Sequence, residues 1–246
     1  MASTAKKITG FKMKNTLARG GIEFLAVLLG LSGSLSIDSI VKEKDQKEQN
    51  TKILKRLYDN LVADSSDGSW NVKAYERGIL GSENVIKWCD SNPTVQSITN
   101  DFEKDLSAMM IATIFVHNDE EYMALKNSGR TDLISNEDLV IELHRYYTDI
   151  GFIKTLDQYQ NNFVQNQIIP YLSNFANENL YDKNIPKNKV YMNFPKISLY
   201  RMPEINKLRF FATNMLTWQK FAKQQYESQV KKVIGIRELL RKELEL

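Results

Sequence analysis

The chain has 246 residues and a formal net charge of +3. That length suffices for one domain with a sizeable core, and 33 basic against 30 acidic side chains leave no global field for nucleic acid. The single cysteine, Cys89, excludes an intrachain disulfide and reads as a buried small hydrophobe or an intermolecular bridge, while 11 glycines and 5 prolines are few enough to suit helices.

In chain order the first feature is a purely basic stretch, Lys6, Lys7, Lys12, Lys14 and Arg19. It leads into LARGGIEFLAVLLGLSGSLSIDSIV, residues 17–41, which reads as one membrane-spanning helix. The uncharged core, residues 24–37, gives only about 21 Å of helix against roughly 30 Å of hydrocarbon, so the segment spans if Glu23 and Asp38 lie near the two interfaces. The full stretch reaches roughly 37 Å, which is ample. Arg19 precedes Glu23 by four residues and can neutralise it on one helix face. Glu23 is then either an interfacial carboxylate or an intramembrane functional charge. Ala26, Gly30, Ser34 and Asp38 recur every four residues and form a small, polar face suited to helix packing in lipid. Basic residues before the span and mixed charge after it place the N-terminus in the cytoplasm and the bulk of the chain outside. Three other readings stay open: a cleaved signal peptide with FLAVLLGL as its apolar region, a buried hairpin helix, and a helix lying flat in the interface.

A solvated helical connector, KEKDQKEQNTK, follows. Ile53, Leu54, Leu57, Tyr58, Leu61 and Val62 then restore a helical stripe, and SSDGS at 65–69 signals a helix end. A second helix is expected over 71–89 and a third after Pro93, carrying Val95, Ile98, Phe102, Leu106, Met109, Met110, Ile114 and Phe115. Asn118 or Asp119 can cap a short helix that Ser128-Gly129 ends, and Ser135 with Asp138 resembles the next capping signal. The helix beyond it spaces Leu139, Leu143, Tyr146, Ile150 and Ile153 like a heptad and runs to about residue 167, where Pro170 breaks or kinks it. The last helix starts near Glu204 and carries Leu208, Phe211, Met215, Trp218, Ala222, Tyr226, Val230, Val233 and Leu240. The expected fold is all-α: an N-terminal single transmembrane helix continuing into a long-helix antiparallel bundle. Its parts are a basic tail (1–16), the transmembrane helix (17–41), a juxtamembrane connector (42–66) and a helical domain (67–246).

Residues 179–203 between the last two long helices hold three prolines and a cationic, aromatic mixture. Lys187, Lys189, Tyr191, Phe194, Lys196, Tyr200 and Arg201 suit either docking of a partner or lipid headgroups, or a packed crossover. His117 and His144 have no partners at metal-site or triad spacing, and no Walker loop, CxxC, HExxH, GxSxG or GxGxxG is present. Asp119, Glu120 and Glu121 sit where a helix N-terminus favours acids. No catalytic constellation, metal site or cofactor is expected.

The opening GGIEFLAVLLGLSGSLSIDSIVKEKDQKEQNTKILKRLYDNL resembles that of a family of uncharacterised single-pass bacterial membrane proteins, with Gly21, Glu23, Leu54, Leu57 and Leu61 in the matching places. YMALKNSGRTDLISNEDLVIELHRYY is similar to a second block of that family through Leu125, Ser128, Gly129, Leu133, Ile134, Leu139, Leu143 and Tyr147. The chain departs from the pattern in the isoleucine between Gly21 and Glu23, in LSIDSIVK at the exit of the span, and in its extra serines and glycines. The resemblance implies a bacterial inner-membrane protein with a helical periplasmic domain, and no activity. The expected role is a non-enzymatic scaffold or accessory subunit of a cell-envelope complex, with the lipid bilayer and other membrane-protein subunits as partners and no nucleic acid. The alternative is a subunit of an oligomeric ion-conducting or force-coupling complex using Glu23.

Overall fold

The structure, a computed structural model, describes residues 5–176 and 198–244; side chains of residues 5–20, 22, 23, 33, 35, 36, 39, 132 and 133 lie outside the description. Among the described residues the chain is all-α, with α1 Ala5–Asp90, α2 Asn100–Met109, α3 Glu120–Asn127, α4 Glu137–Phe163, α5 Ile169–Ser173 and α6 Ile205–Glu243. No strand forms there, only an isolated antiparallel bridge between Ala176 and Leu199. The chain divides into two compact units, Met1–Ile53 and Leu54–Leu246. The first is the N-terminal part of α1, exposed at nearly every described side chain. The second is a helical bundle.

The bundle follows from one spacing. The buried seam of α1 falls at 54, 57, 61, 64, 68, 71, 75, 78, 82, 85 and 89, with 65, 74 and 81 buried beside it. That of α4 falls at 139, 143, 146, 150, 153, 157 and 160, with 156 beside it, and that of α6 at 208, 212, 215, 219, 222, 226, 229, 233, 236 and 240, with 211 beside it. Alternating steps of three and four keep one seam of each helix facing its neighbours. Cross-helix pairs fix the directions. Asp90–Arg209, Glu83–Lys220 and Glu76–Lys223 set α6 antiparallel to α1. Asp149–Lys232, the Phe152 and Phe221 rings and the Tyr159 and Trp218 rings set it antiparallel to α4. Tyr146 meets Asp64 and Gln160 meets Tyr75, so α1 and α4 run parallel.

Two parallel helices in sequence need a returning segment, and α2 with residues 110–119 supplies it. Gly81 lies against Ala108, Gly78 against Ile111, Asp67 against Val116 and Asp64 against Asn118, so the chain descends antiparallel to α1. α2 starts at Asn100, where the Thr99 hydroxyl accepts from the Phe102 amide at 3.2 Å, and ends at Met109. The expected helix through Ile114 and Phe115 does not form. Residues 110–119 are a non-helical strap, extended between the turn at Met110 and the helical backbone of Asp119, with Ile111, Thr113 and Phe115 buried and Ile114 and Val116 exposed. From Ile111, beside Gly78, to Asn118, beside Asp64, seven steps of strap pass fourteen residues of α1, about 21 Å of helix.

The helix end expected at 65–69 is also corrected, because α1 continues through it. Its turn-forming side chains bond within the helix: the Ser69 hydroxyl donates to the Ser65 carbonyl at 2.7 Å, and Asn71 Nδ2 donates to Asp67 at 2.9 Å. Gly68 is buried, and a Cβ there would stand 2.9 Å from Val230 Cγ2. The α4 cap is Asn136, whose side chain accepts from the Leu139 amide at 3.2 Å, one residue beyond the expected Ser135. α4 ends at Phe163 and passes into a π-helical turn, Val164–Ile168, before α5. The wide turn precedes Pro170, whose missing N–H and ring are incompatible with an uninterrupted α-helix.

The two ends of the bundle are apolar. Leu54, Leu57, Leu139, Leu143, Ile236 and Leu240 are buried at one, and Leu106, Met109, Ile168, Leu172, Leu208 and Met215 at the other. Each such side chain contributes about 1.5–3 kcal/mol on burial. Between them lies a layer of a different kind.

Candidate functional site

The middle of the bundle is polar. Extended backbone inside a helical core has no ladder to satisfy it, and an unpaired buried amide or carbonyl costs about 1–3 kcal/mol. Helix side chains provide the partners. Asp157 on α4 accepts from the Phe115 amide at 2.9 Å and from the Tyr226 hydroxyl at 2.6 Å. Asp67 accepts from the Val116 amide at 3.0 Å. Asp64 accepts from the Asn118 amide and side chain, each at 2.9 Å, and from the Tyr146 hydroxyl at 2.8 Å. For the carbonyls, Gln219 Nε2 donates to Met109 and Ile111 at 2.8 and 3.1 Å, Asn161 Nδ2 to Thr113 at 2.9 Å, and the Tyr147 hydroxyl to Asn118 at 3.1 Å. Gln219 Oε1 accepts from the Ser82 hydroxyl at 2.7 Å, and Gln160 Oε1 from the Tyr75 hydroxyl at 2.6 Å.

Burial dominates the electrostatics. It pushes the Asp157 carboxyl up to about 7, against the opposing bonds from Tyr226, Phe115 and Tyr75. Burial likewise raises Asp64 and Asp67. It raises Tyr75, Tyr146 and Tyr226 too, so each hydroxyl keeps its proton as a donor. The geometry clamps backbone: every oxygen described above faces an amide, a hydroxyl or a carboxamide. Among the described residues no group of three His, Cys, Asp or Glu side chains is placed to hold a metal ion.

The residues singled out in the sequence fall in three places. Ala26, Gly30, Ser34 and Asp38 are exposed on α1, and a Cβ at Gly30 would meet nothing within 4 Å. They share this stretch with exposed apolar side chains, from Leu28 at 47% to Leu29 at 69%. Among the described residues no helix is long and apolar enough to cross a membrane, so the transmembrane helix expected over 17–41 gains no support from the structure. Much of that stretch, residues 17–20, 22, 23, 33, 35, 36 and 39, lies outside the described side chains. Arg19 and Glu23 lie outside the described side chains, as do Lys187, Lys189, Tyr191, Phe194 and Lys196 of the expected docking loop. Tyr200 and Arg201 are described. The Tyr200 hydroxyl and Arg201 Nε both donate to the Asn174 carbonyl at 3.0 Å, and both side chains are exposed.

His117 bonds Asp119 at 3.2 Å, and His144 meets the Tyr122 hydroxyl at 3.0 Å. Glu120 and Glu121 stand in the first turn of α3, and Glu121 pairs with Arg56. Sequence reasoning did not single out Asp64, Asp67, Asp157, Gln160 or Gln219. The available signal, for all but Asp67, was polar residues at seam positions of helices whose other seam positions are mostly apolar. No family model matches the chain, and neither does any curated protein or any solved structure.

Proposed function

We propose that the chain is a non-enzymatic helical interaction module held at the bacterial inner membrane through residues 24–41. The carrying observation is that Phe24, Leu25, Val27, Leu28, Leu29, Leu31, Ile37, Ile40 and Val41 are all exposed on one helix. At 100° per residue these positions surround the helix and do not form a stripe, and a helix apolar all round needs a nonpolar surrounding. A tilt-free span with Glu23 and Asp38 at the headgroups brings 24–37 to within local bilayer thinning of a match. The basic residues at 6–19 favour a cytoplasmic N-terminus and a periplasmic bundle. The small face at Ala26, Gly30 and Ser34 supports assembly with other membrane subunits. A scaffold role fits a core whose buried carboxylates bond backbone amides and tyrosines.

Alkaline carbonate extraction of membranes carrying the full chain tests the reading. Retention in the pellet and flotation with lipid are expected. Recovery of the intact chain in the aqueous fraction overturns it.

A further inference from the structure

A cleft of about 670 Å³ lies beside the apolar end of the bundle that holds Leu172 and Leu208. The π-helical turn contributes Asn166 and Gln167 to its lining, and the chain entering α6 contributes Arg201, Glu204 and Lys207. Tyr171 and Phe175 add ring faces. This volume suits a small ligand.

The two cations are what set the cleft apart. The Arg201 guanidinium carbon lies 5.1 Å from the Phe175 ring centre and 5.5 Å from that of Tyr200, with Nε bonded to the Asn174 carbonyl. Lys207 Nζ stands 5.0 Å from the Tyr171 ring centre, and that ring is itself fixed by its hydroxyl on the Glu204 carbonyl at 2.8 Å. Neither cation pairs with a carboxylate among the described residues. Other exposed cations such as Lys73 and Lys87 also lack an ion pair there, but Arg201 and Lys207 line the cleft and stand over ring faces. Ring faces and a carbonyl position the two charges while leaving their remaining N–H groups without an anion.

We propose that this cleft binds a phosphorylated polyol, a sugar or glycerol phosphate, with Arg201 and Lys207 on the phosphate. Two positioned cations suit a phosphate oxyanion, monoester or diester, and a guanidinium edge grips it with paired bonds. The carboxamides of Asn166 and Gln167 and the Glu204 carboxylate offer donors and acceptors for hydroxyls. The aromatic faces take the C–H side of the polyol. The inference goes beyond membrane attachment and does not rest on it, because every residue involved belongs to the bundle.

Titration calorimetry on the purified full chain in detergent tests it, using glycerol 3-phosphate, glucose 6-phosphate, inorganic phosphate and a short-chain phosphatidylglycerol as probes. Saturable binding of an ester or of the lipid is expected, tighter than that of inorganic phosphate. Tighter binding of a free ester assigns a soluble ligand, and tighter binding of the lipid assigns a headgroup. Arg201→Gln and Lys207→Gln should each weaken binding about tenfold or more, with unchanged circular-dichroism melting. Lys220→Gln, on an ion pair outside the cleft, should leave it unchanged. Asn166→Ala should weaken the esters and spare inorganic phosphate. No saturable binding, undiminished affinity in Arg201→Gln, or inorganic phosphate binding as tightly as the esters overturns the proposal. Because carbonate extraction reads α1 alone, failure here is distinguishable from failure of membrane attachment.

Discussion

Asp157 shows how one side chain couples this fold to pH. Desolvation sets its folded value at about 7, above the ordinary 3.8 that the unfolded chain takes. Between those values the folded chain holds a proton that the unfolded chain has released. Stability from this group is therefore fully present below about pH 4 and is lost as pH rises through 7, by an amount on the order of 4 kcal/mol at most. Asp64 and Asp67 are shifted in the same direction and add to the slope. The melting temperature of the wild-type chain should fall between pH 5 and 7.5, and Asp157→Asn should flatten that fall. A melting temperature that rises over this window, or an identical slope in the variant, would refute the assignment. Glycines give a second residue-level contrast. A Cβ at Gly81 would stand 2.6 Å from Ala108 Cβ, 2.7 Å from the Asp105 carbonyl and 2.8 Å from the Met109 amide, so backbone has to move. Gly81→Ala should destabilise by about 1–3 kcal/mol. Gly235 meets nothing within 4 Å in mid-helix, and Gly235→Ala should stabilise by up to about 1 kcal/mol. Chemical denaturation of both variants reads the opposite signs.

The strap at 110–119 is a half-buried connection with several backbone groups held by helix side chains, and hydrogen exchange should reveal it. Amides of Phe115, Val116 and Asn118, each on a carboxylate, should exchange slowly although no helix or ladder holds them. The Ile114 amide, with no bond among the described residues, should exchange much faster. Gln219→Leu removes the donor to the carbonyls of Met109, where α2 ends, and of Ile111 in the strap, together with the acceptor of Ser82, and should cost about 1–3 kcal/mol while selectively speeding exchange in the strap. Uniformly fast exchange over 110–119 would show that the clamp does not hold. This element also marks what the sequence could and could not reveal. The seams of α4 and α6 were legible because apolar residues mark most of their steps, and the α6 start near Glu204 was placed within one residue. The strap was not, since Ile114 and Phe115 continue the apolar spacing of α2 and its alternation lasts only a few residues. Residues 65–69 read as a helix end because serine, aspartate and glycine favour turns locally. In the fold Gly68 admits Val230 and Asp67 faces the strap, so tertiary partners override local preference. The buried Asp64 and Asp157 and the half-buried Asp67 went unread for the same reason: what makes them useful is a backbone segment distant in sequence.

At the scale of the whole molecule, two different solvents are proposed for one helix. Beyond Leu54, α1 buries its seam against protein. Over 24–41 its described apolar side chains face outward on all sides, and over 42–49 every side chain is exposed and is charged or amide. A lysine placed at the centre of a span costs about 2.5–3.5 kcal/mol on insertion scales, so two of them exceed what a fourteen-residue uncharged core can absorb. Leu28→Lys combined with Leu31→Lys should therefore move the chain from the carbonate-resistant pellet to the aqueous fraction. The bundle makes no use of either residue, so helix content and melting of the variant should match the wild type. Tyr226→Phe supplies the converse, because it strips a 2.6 Å bond from Asp157 and should lower the melting temperature with no change in membrane retention. If the double lysine variant stays in the pellet, lipid is not what surrounds 24–41, and a protein partner covering those side chains becomes the surviving explanation.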